Sequence, residues 1–166
     1  MKKFLIGFLI GVAGLAIFMT IYMMMYSQGV IEPFEAGEKA SSEKVLIASQ
    51  GSEYKNMFVK KIIEKLKNDS LFIKVIDVTE IEKENIDDFK AVLIINSIEM
   101  YDMQENAKGF LSSGNIDKVI MVATSGNGSM GPKDNSIDAV TTASSIETID
   151  QKVQEVIKKI GDIDAY

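Results

Sequence analysis

Three short polar stretches of the chain carry residues that could do chemistry together. The first, Ser49-Gln50-Gly51-Ser52, follows the apolar run Val45-Leu46-Ile47-Ala48 and precedes a helix-like pattern. The second holds Ser97, and the third runs Thr124-Ser125-Gly126-Asn127-Gly128-Ser129-Met130-Gly131. Small polar residues ahead of a helix suit an anion: backbone N–H groups and the helix N-terminus point at a phosphate, and hydroxyls such as those of Ser49 and Ser52 add donors. Gly51 would let the backbone approach closely. Glu53 works against this, because a carboxylate in the first turn already complements the helix end and repels phosphate. A plain strand-to-helix turn capped by Ser52 is the competing reading, and the residues alone leave both open.

What the chain lacks narrows the chemistry further. It has no histidine, no cysteine and no tryptophan, and all 18 basic residues are lysine. Thiol nucleophiles, disulfides, zinc–thiolate sites and histidine-based triads are therefore excluded. Bidentate arginine clamps on phosphate are excluded too. No GxxxxGK[ST] sequence occurs, the acidic stretch from Glu80 to Asp88 lacks the spacing of an EF-hand loop, and nothing marks out an activated serine. A phosphoacceptor domain would need acidic residues where Ser49 and Asn96-Ser97 stand.

The elements that must position these stretches are legible from periodicity. Val45–Ala48, Ala91–Ile95 and Val119–Ala123 are short apolar runs, as expected of strands buried on both faces. Leu71–Val78 and Ile137–Thr142 read as two further strands. Phe58, Val59, Ile62, Ile63 and Leu66 share one helical stripe, as do Ile146, Ile149, Val153, Val156, Ile157 and Ile160. Ser144 and Glu147 have the spacing of a capping box at the start of that last helix. Residues 101–111 are a weaker helix. Alternation of this kind predicts a five-stranded parallel, doubly wound α/β sheet of order 2-1-3-4-5, with right-handed crossovers. The three polar stretches then meet at the carboxyl ends of the first, third and fourth strands, where the order reverses.

A different segment precedes this domain. Phe4–Tyr26 is 23 residues without a charge, roughly 34 Å as a helix and long enough for a bilayer core. Its length, and the lack of a small-residue cleavage site at Met23-Met24-Met25-Tyr26, favour an uncleaved anchor over a cleaved signal. Tyr22 and Tyr26 suit the membrane–water interface, and Lys2 and Lys3 predict a cytoplasmic N-terminus with the rest of the chain outside. Gly7, Gly11 and Gly14 share a face on which two helices could meet, although glycine is common in membrane helices generally. The expected organisation is an anchor over 1–26, a linker over 27–43 and a globular domain over 44–166. Sixteen lysines and all 24 acidic residues follow Tyr26, a net charge of −8. Such a surface repels nucleic acid and favours a partner with a basic face.

From Lys44 to Ile160 the chain resembles the flavodoxin-like family. Flavodoxins carry a phosphate loop of the form Ser/Thr-x-Thr-Gly-x-Thr after the first strand, and the same place here reads Ser49-Gln50-Gly51-Ser52-Glu53-Tyr54. Ser49 matches, Gly51 and Ser52 stand in reversed order, and Tyr54 replaces the final threonine. The resemblance implies FMN, with its phosphate at Ser49, Gln50, Gly51 and Ser52. Its ring would lie between the loops that hold Ser97, Tyr101, Thr124, Gly126 and Asn127, with Tyr101 as the stacking aromatic. The function it implies is electron transfer by a membrane-anchored flavodoxin-like protein. The alternative is an extracytoplasmic binding or assembly module that keeps the fold without the flavin.

Overall fold

The structure, a computed structural model, describes residues 2–26, 29–67, 70–98, 105–112, 114–134 and 136–163. Helix α1 (Lys2–Tyr26) is apolar all round, and its stretch Lys3–Ile21, with a mean hydropathy of 2.5, is long and apolar enough to cross a membrane. The side chains from Lys3 through Ile21 are exposed, an arrangement that water does not favour for so much apolar surface. The side chains of Tyr22 and Tyr26 lie outside what the structure describes.

The rest is an α/β layer structure. Strands β1 (Gly29–Val30), β2 (Phe34–Gly37), β3 (Lys44–Gly51), β4 (Phe72–Asp77), β5 (Ala91–Ser97), β6 (Val119–Thr124) and β7 (Asp138–Thr142) form one sheet. Its order is β2-β4-β3-β5-β6-β7, with β1 paired to the far end of β3. Strands β4, β3, β5, β6 and β7 are mutually parallel, in the predicted sequence of neighbours. Alternate residues of β3 serve opposite cores. Val45 and Ile47 face α2 (Glu53–Leu66) and α4 (Ile149–Asp162), whereas Leu46 and Ala48 face α3 (Glu105–Leu111) and the 3₁₀ turns at Val78–Lys83 and Ile86–Asp88. Burial on both faces is why these strands read as unbroken apolar runs.

The sheet has seven strands rather than the predicted five, and the two extra ones come from the segment expected to be a linker. Strand β2 runs antiparallel to β4, with Phe34 opposite Val75, and β1 runs antiparallel to β3, with Gly29 opposite Gly51 and Val30 opposite Gln50. Between them Ile31 is buried, and its N–H donates to Asp77 Oδ2 at 3.0 Å. Proline and glycine hid these strands, yet both residues are tolerated at sheet edges. Gly37 has φ +81°, and a Cβ there would run into the Leu71 carbonyl, so the turn out of β2 needs glycine. The acidic connection over 80–88 folds into two 3₁₀ turns that bury Ile81 and Ile86.

Close packing of β1 against β3 yields a test. A Cβ on Gly51 would sit 2.5 Å from the Val30 carbonyl carbon and 2.6 Å from its oxygen. Backbone cannot yield as a flexible side chain does, so Gly51→Ala should destabilise the domain by about 1–3 kcal/mol. Denaturant titration of the full chain reads this; an unchanged midpoint would mean that β1 does not pack where described.

Candidate functional site

The carboxyl ends of β3, β5 and β6 meet at the point where successive crossovers leave β3 in opposite directions. Such a switch point leaves a crevice in an open parallel sheet. Strand β3 ends in Ser49-Gln50-Gly51, β5 in Asn96-Ser97, β6 in Thr124 and β7 in Thr142. The first turn of α2 brings Lys55 over these ends. Lys55 is 2% exposed, and its Nζ donates to Gln50 Oε1 at 2.8 Å and to Ser97 Oγ at 2.7 Å. Gln50 Oε1 also accepts from the Ser97 N–H at 2.7 Å.

The network has a direction. An ammonium only donates, so Ser97 Oγ accepts from Lys55 and keeps its own proton for Thr124 Oγ1, 3.2 Å away. Thr124 in turn donates to the Asn96 carbonyl at 3.4 Å. A parallel tie holds β7, where the Tyr54 hydroxyl and Thr142 Oγ1 are 2.9 Å apart and the Tyr54 ring lies 5.9 Å from that of Phe58. Over these ends lies a cavity of about 370 Å³ lined by Ser52, Tyr54, Lys55, Ser97, Thr124 and Ser144, among others. A neighbouring cavity of about 250 Å³ shares Ser97, Thr124 and Ser144 and reaches Gly126.

The predicted site residues fare differently from one another. Gln50, Ser97 and Thr124 are brought together in one network. Gly126 lines the adjoining cavity, and nothing lies within 4 Å of the place a Cβ would occupy. Ser49 is fully buried and donates to the Gln50 carbonyl at 2.8 Å, away from the crevice. Gly51 is covered by β1. Ser52 accepts from the Lys55 N–H at 3.2 Å and so caps α2. Asn127 is exposed and folds back on its own loop, accepting from the N–H and the hydroxyl of Ser129 at 3.1 and 2.8 Å. Tyr101 lies outside the described residues.

These placements bear on a flavin phosphate. A cradle needs a loop of free N–H groups ahead of the helix. Strand β3 instead continues in paired register through Gly51, and Ser52 alone separates it from α2. The backbone of Gly29 and Val30 lies against Gly51, where a cradle would need open space. The chain therefore does not offer FMN the expected phosphate site.

Two residues escaped sequence reasoning. Lys55 carries a weak signal, because a lysine in the first turn opposes the helix dipole and calls for another reason to be there. Ser144, expected to cap the last helix, adopts φ +55° at the rim of both cavities. Helix α4 starts only at Ile149, after a 3₁₀ turn, and Thr148 at its N-cap makes no side-chain capping bond, its hydroxyl donating instead to the Ser145 carbonyl at 3.2 Å. Asn96, on the opposite face of β5 from Ser97, is fully buried with both side-chain polar atoms unpartnered among the described residues, an unusual burden for a strand end.

No protein-family model matches the chain, and no curated protein matches it in sequence. Solved structures do match in shape. A flavodiiron core from Synechocystis aligns with TM-score 0.51 and 8% identity over 77% of this chain and 38% of its own. A flavo di-iron protein from Thermotoga maritima aligns with TM-score 0.48 and 17% identity over 76% of this chain and 36% of its own. An oxidoreductase from Corynebacterium diphtheriae gives TM-score 0.48 and 8% identity, covering 74% of this chain and 97% of its own. The chain thus spans little more than a third of the first two. At 8% identity the likeness to the Synechocystis core concerns architecture alone, and the strand order of this chain is that of a flavodoxin-like fold.

The geometry predicts an asymmetry at Gln50 and Lys55. Gln50→Leu strips the buried ammonium and the Ser97 N–H of a shared acceptor and should cost about 2–3 kcal/mol. Lys55→Met removes the charge together with its desolvation and should cost less. Equal losses on denaturant titration would contradict the network. Tyr54 supplies a pH test. Burial raises its phenol above the ordinary 10.0, against the opposing pull of its hydrogen bond with Thr142. With the folded value above the unfolded one, the stability is complete below pH 10.0 and is lost as pH rises through the raised value. Tyr54→Phe should therefore cost about 0.5–1.5 kcal/mol at neutral pH, and the gap from the unaltered chain should narrow in alkali. A gap that does not change with pH would exclude Tyr54 as the titrating group.

Proposed function

We propose that this chain is a membrane-anchored, flavodoxin-like binding module that works without FMN on the outer face of the membrane. The observation that carries the reading is the pairing of Gly29–Val30 with Gln50–Gly51, which leaves Ser52 as the only residue between β3 and α2. What remains at the switch point is a polar crevice of hydroxyls around a buried ammonium. It supplies hydrogen-bond donors and acceptors, the Lys55 ammonium and, at its lining, the Glu53 carboxylate, and it holds neither an imidazole nor a thiol. Such a lining recognises a polar ligand or partner segment more readily than it moves protons. The anchor is α1, with Lys2 and Lys3 on the cytoplasmic side, and the acidic domain favours a basic partner.

Electron transfer through FMN is the rival reading. It draws on the place of the crevice at the switch point and on the exposed loop at Gly126. FMN, if bound, would supply the redox chemistry itself.

A titration of FMN with the full chain in detergent separates the two. Flavin fluorescence should stay unquenched up to about 100 µM protein, a range that captures any affinity worth more than roughly 5.5 kcal/mol. Saturable quenching with a shifted absorption band would restore the redox reading. Protease added outside intact cells should degrade the domain, and protection would reverse the orientation.

A further inference from the structure

We infer that the crevice end of the domain lies on the phospholipid surface, so that the crevice opens at the level of the lipid headgroups. The inference rests on the anchor reading above and extends it. Helix α1 ends at Tyr26, and Val30 is already paired in the sheet. Four residues span at most about 14 Å, so the domain cannot stand far from the end of its helix. The chain is also fixed where it arrives. The Ile31 N–H binds Asp77 Oδ2 at 3.0 Å, and the Ile31 side chain is buried.

The place of arrival decides the orientation. Val30 pairs with Gln50 and Gly29 with Gly51, at the carboxyl end of β3. All five parallel strands point the same way, so the carboxyl ends of β5, β6 and β7 share that end of the sheet. The crevice lined by Ser97 and Thr124 is thus at the tethered end, and the opposite end, where β6 begins after Asp117, faces away.

An independent observation agrees. Outside α1, the large apolar side chains exposed among the described residues are Val30 at 73%, Phe34 at 44% and Ile146 at 62%. Phe34 pairs with Val75, two residues short of the carboxyl end of β4. Ile146 lies beyond the end of β7 and lines the crevice cavity. Two exposed apolar groups of the tether segment and one from a distant part of the sequence thus lie at the tethered end, as expected of a surface that meets a bilayer interface. Glu32, Glu53 and Glu147 are nearby, so contact through apolar side chains with zwitterionic lipid fits better than attraction to anionic lipid.

The chain has no tryptophan, so single tryptophans report depth without background. The full chain would be reconstituted in phosphatidylcholine vesicles whose acyl chains are brominated near the headgroup, with variants Phe8→Trp, Ile146→Trp, Glu147→Trp and Asp117→Trp. Phe8→Trp, within α1, should be strongly quenched. Ile146→Trp, or Glu147→Trp should the first variant fold poorly, should be quenched at least twofold more than Asp117→Trp and emit further to the blue. Quenched Phe8→Trp with Ile146→Trp and Glu147→Trp no more quenched than Asp117→Trp overturns the orientation and leaves the anchor standing. Unquenched Phe8→Trp overturns the anchor and the orientation with it.

Discussion

Two residues of backbone laid against two others settle much about this molecule. Where Gly29 and Val30 pair with Gly51 and Gln50, the first parallel strand is carried past the point at which a phosphate-binding loop would open. Gly51 is needed for the approach, and Gly29 eases it. A Cβ on Gly29 would sit 3.1 Å from the Gly51 carbonyl oxygen, and one on Gly51 would sit closer still to Val30. The contact also holds Gln50 in extended register, which places its side-chain oxygen over Ser97. A tether, a covered strand end and an oriented amide therefore share one cause. Glycine, which sequence reasoning assigns to phosphate approach, here serves the approach of the chain to itself.

Lys55 fills the electrostatic role that such a site leaves open. An ammonium in the first turn of a helix is opposed by the helix dipole, and burial adds a desolvation penalty. Gln50 Oε1 and Ser97 Oγ are aimed at it, and they offset part of that penalty by replacing water with fixed acceptors. Glu53 in the same turn complements the dipole that Lys55 opposes. The crevice thus presents polarity that is already internally bonded. An incoming ligand would have to match or replace bonds among Lys55, Ser97 and Thr124, which favours selectivity over strong binding.

How far the sequence could be read depended on how local each signal was. The five parallel strands and their order were legible because residues such as Ile47, Leu93 and Val122 are buried whatever the detail of the loops, and burial on both faces leaves an unbroken apolar run. The helices α2 and α4 were legible from their stripes. Strands β1 and β2 were not, since a two-residue strand has no period and Pro33 and Gly37 normally signal a break. Within the candidate site, Ser97 and Thr124 were found because topology alone brings strand ends together. Ser49 and Ser52 stayed open between a phosphate site and a plain turn for a different reason: the sequence supplies the hydroxyls, but whether they face a ligand, cap a helix or bond to their own backbone depends on one residue of register. Lys55 was overlooked because a charge at a helix start reads as surface until the crossover folds it over the sheet.

Three departures from local rules fall at the carboxyl ends of the strands. A lysine against a helix dipole, a serine at φ +55° and an asparagine amide buried without partners among the described residues all occur at one end of one sheet. The opposite strand ends carry one such departure, Ser70 at φ +48° ahead of β4, while the Lys90 N–H is bonded to the Lys44 carbonyl and Asn115 caps its 3₁₀ turn. Each departure works against stability on its own, and a chain shaped for stability alone would have no reason to collect them. Three of the four thus fall at the crevice end of the sheet, Lys55 and Ser144 at the crevice itself and Asn96 on the other face of β5. The site keeps the position of a flavodoxin crevice while its first loop is closed, because strand topology fixes where a crevice lies and leaves open what it holds.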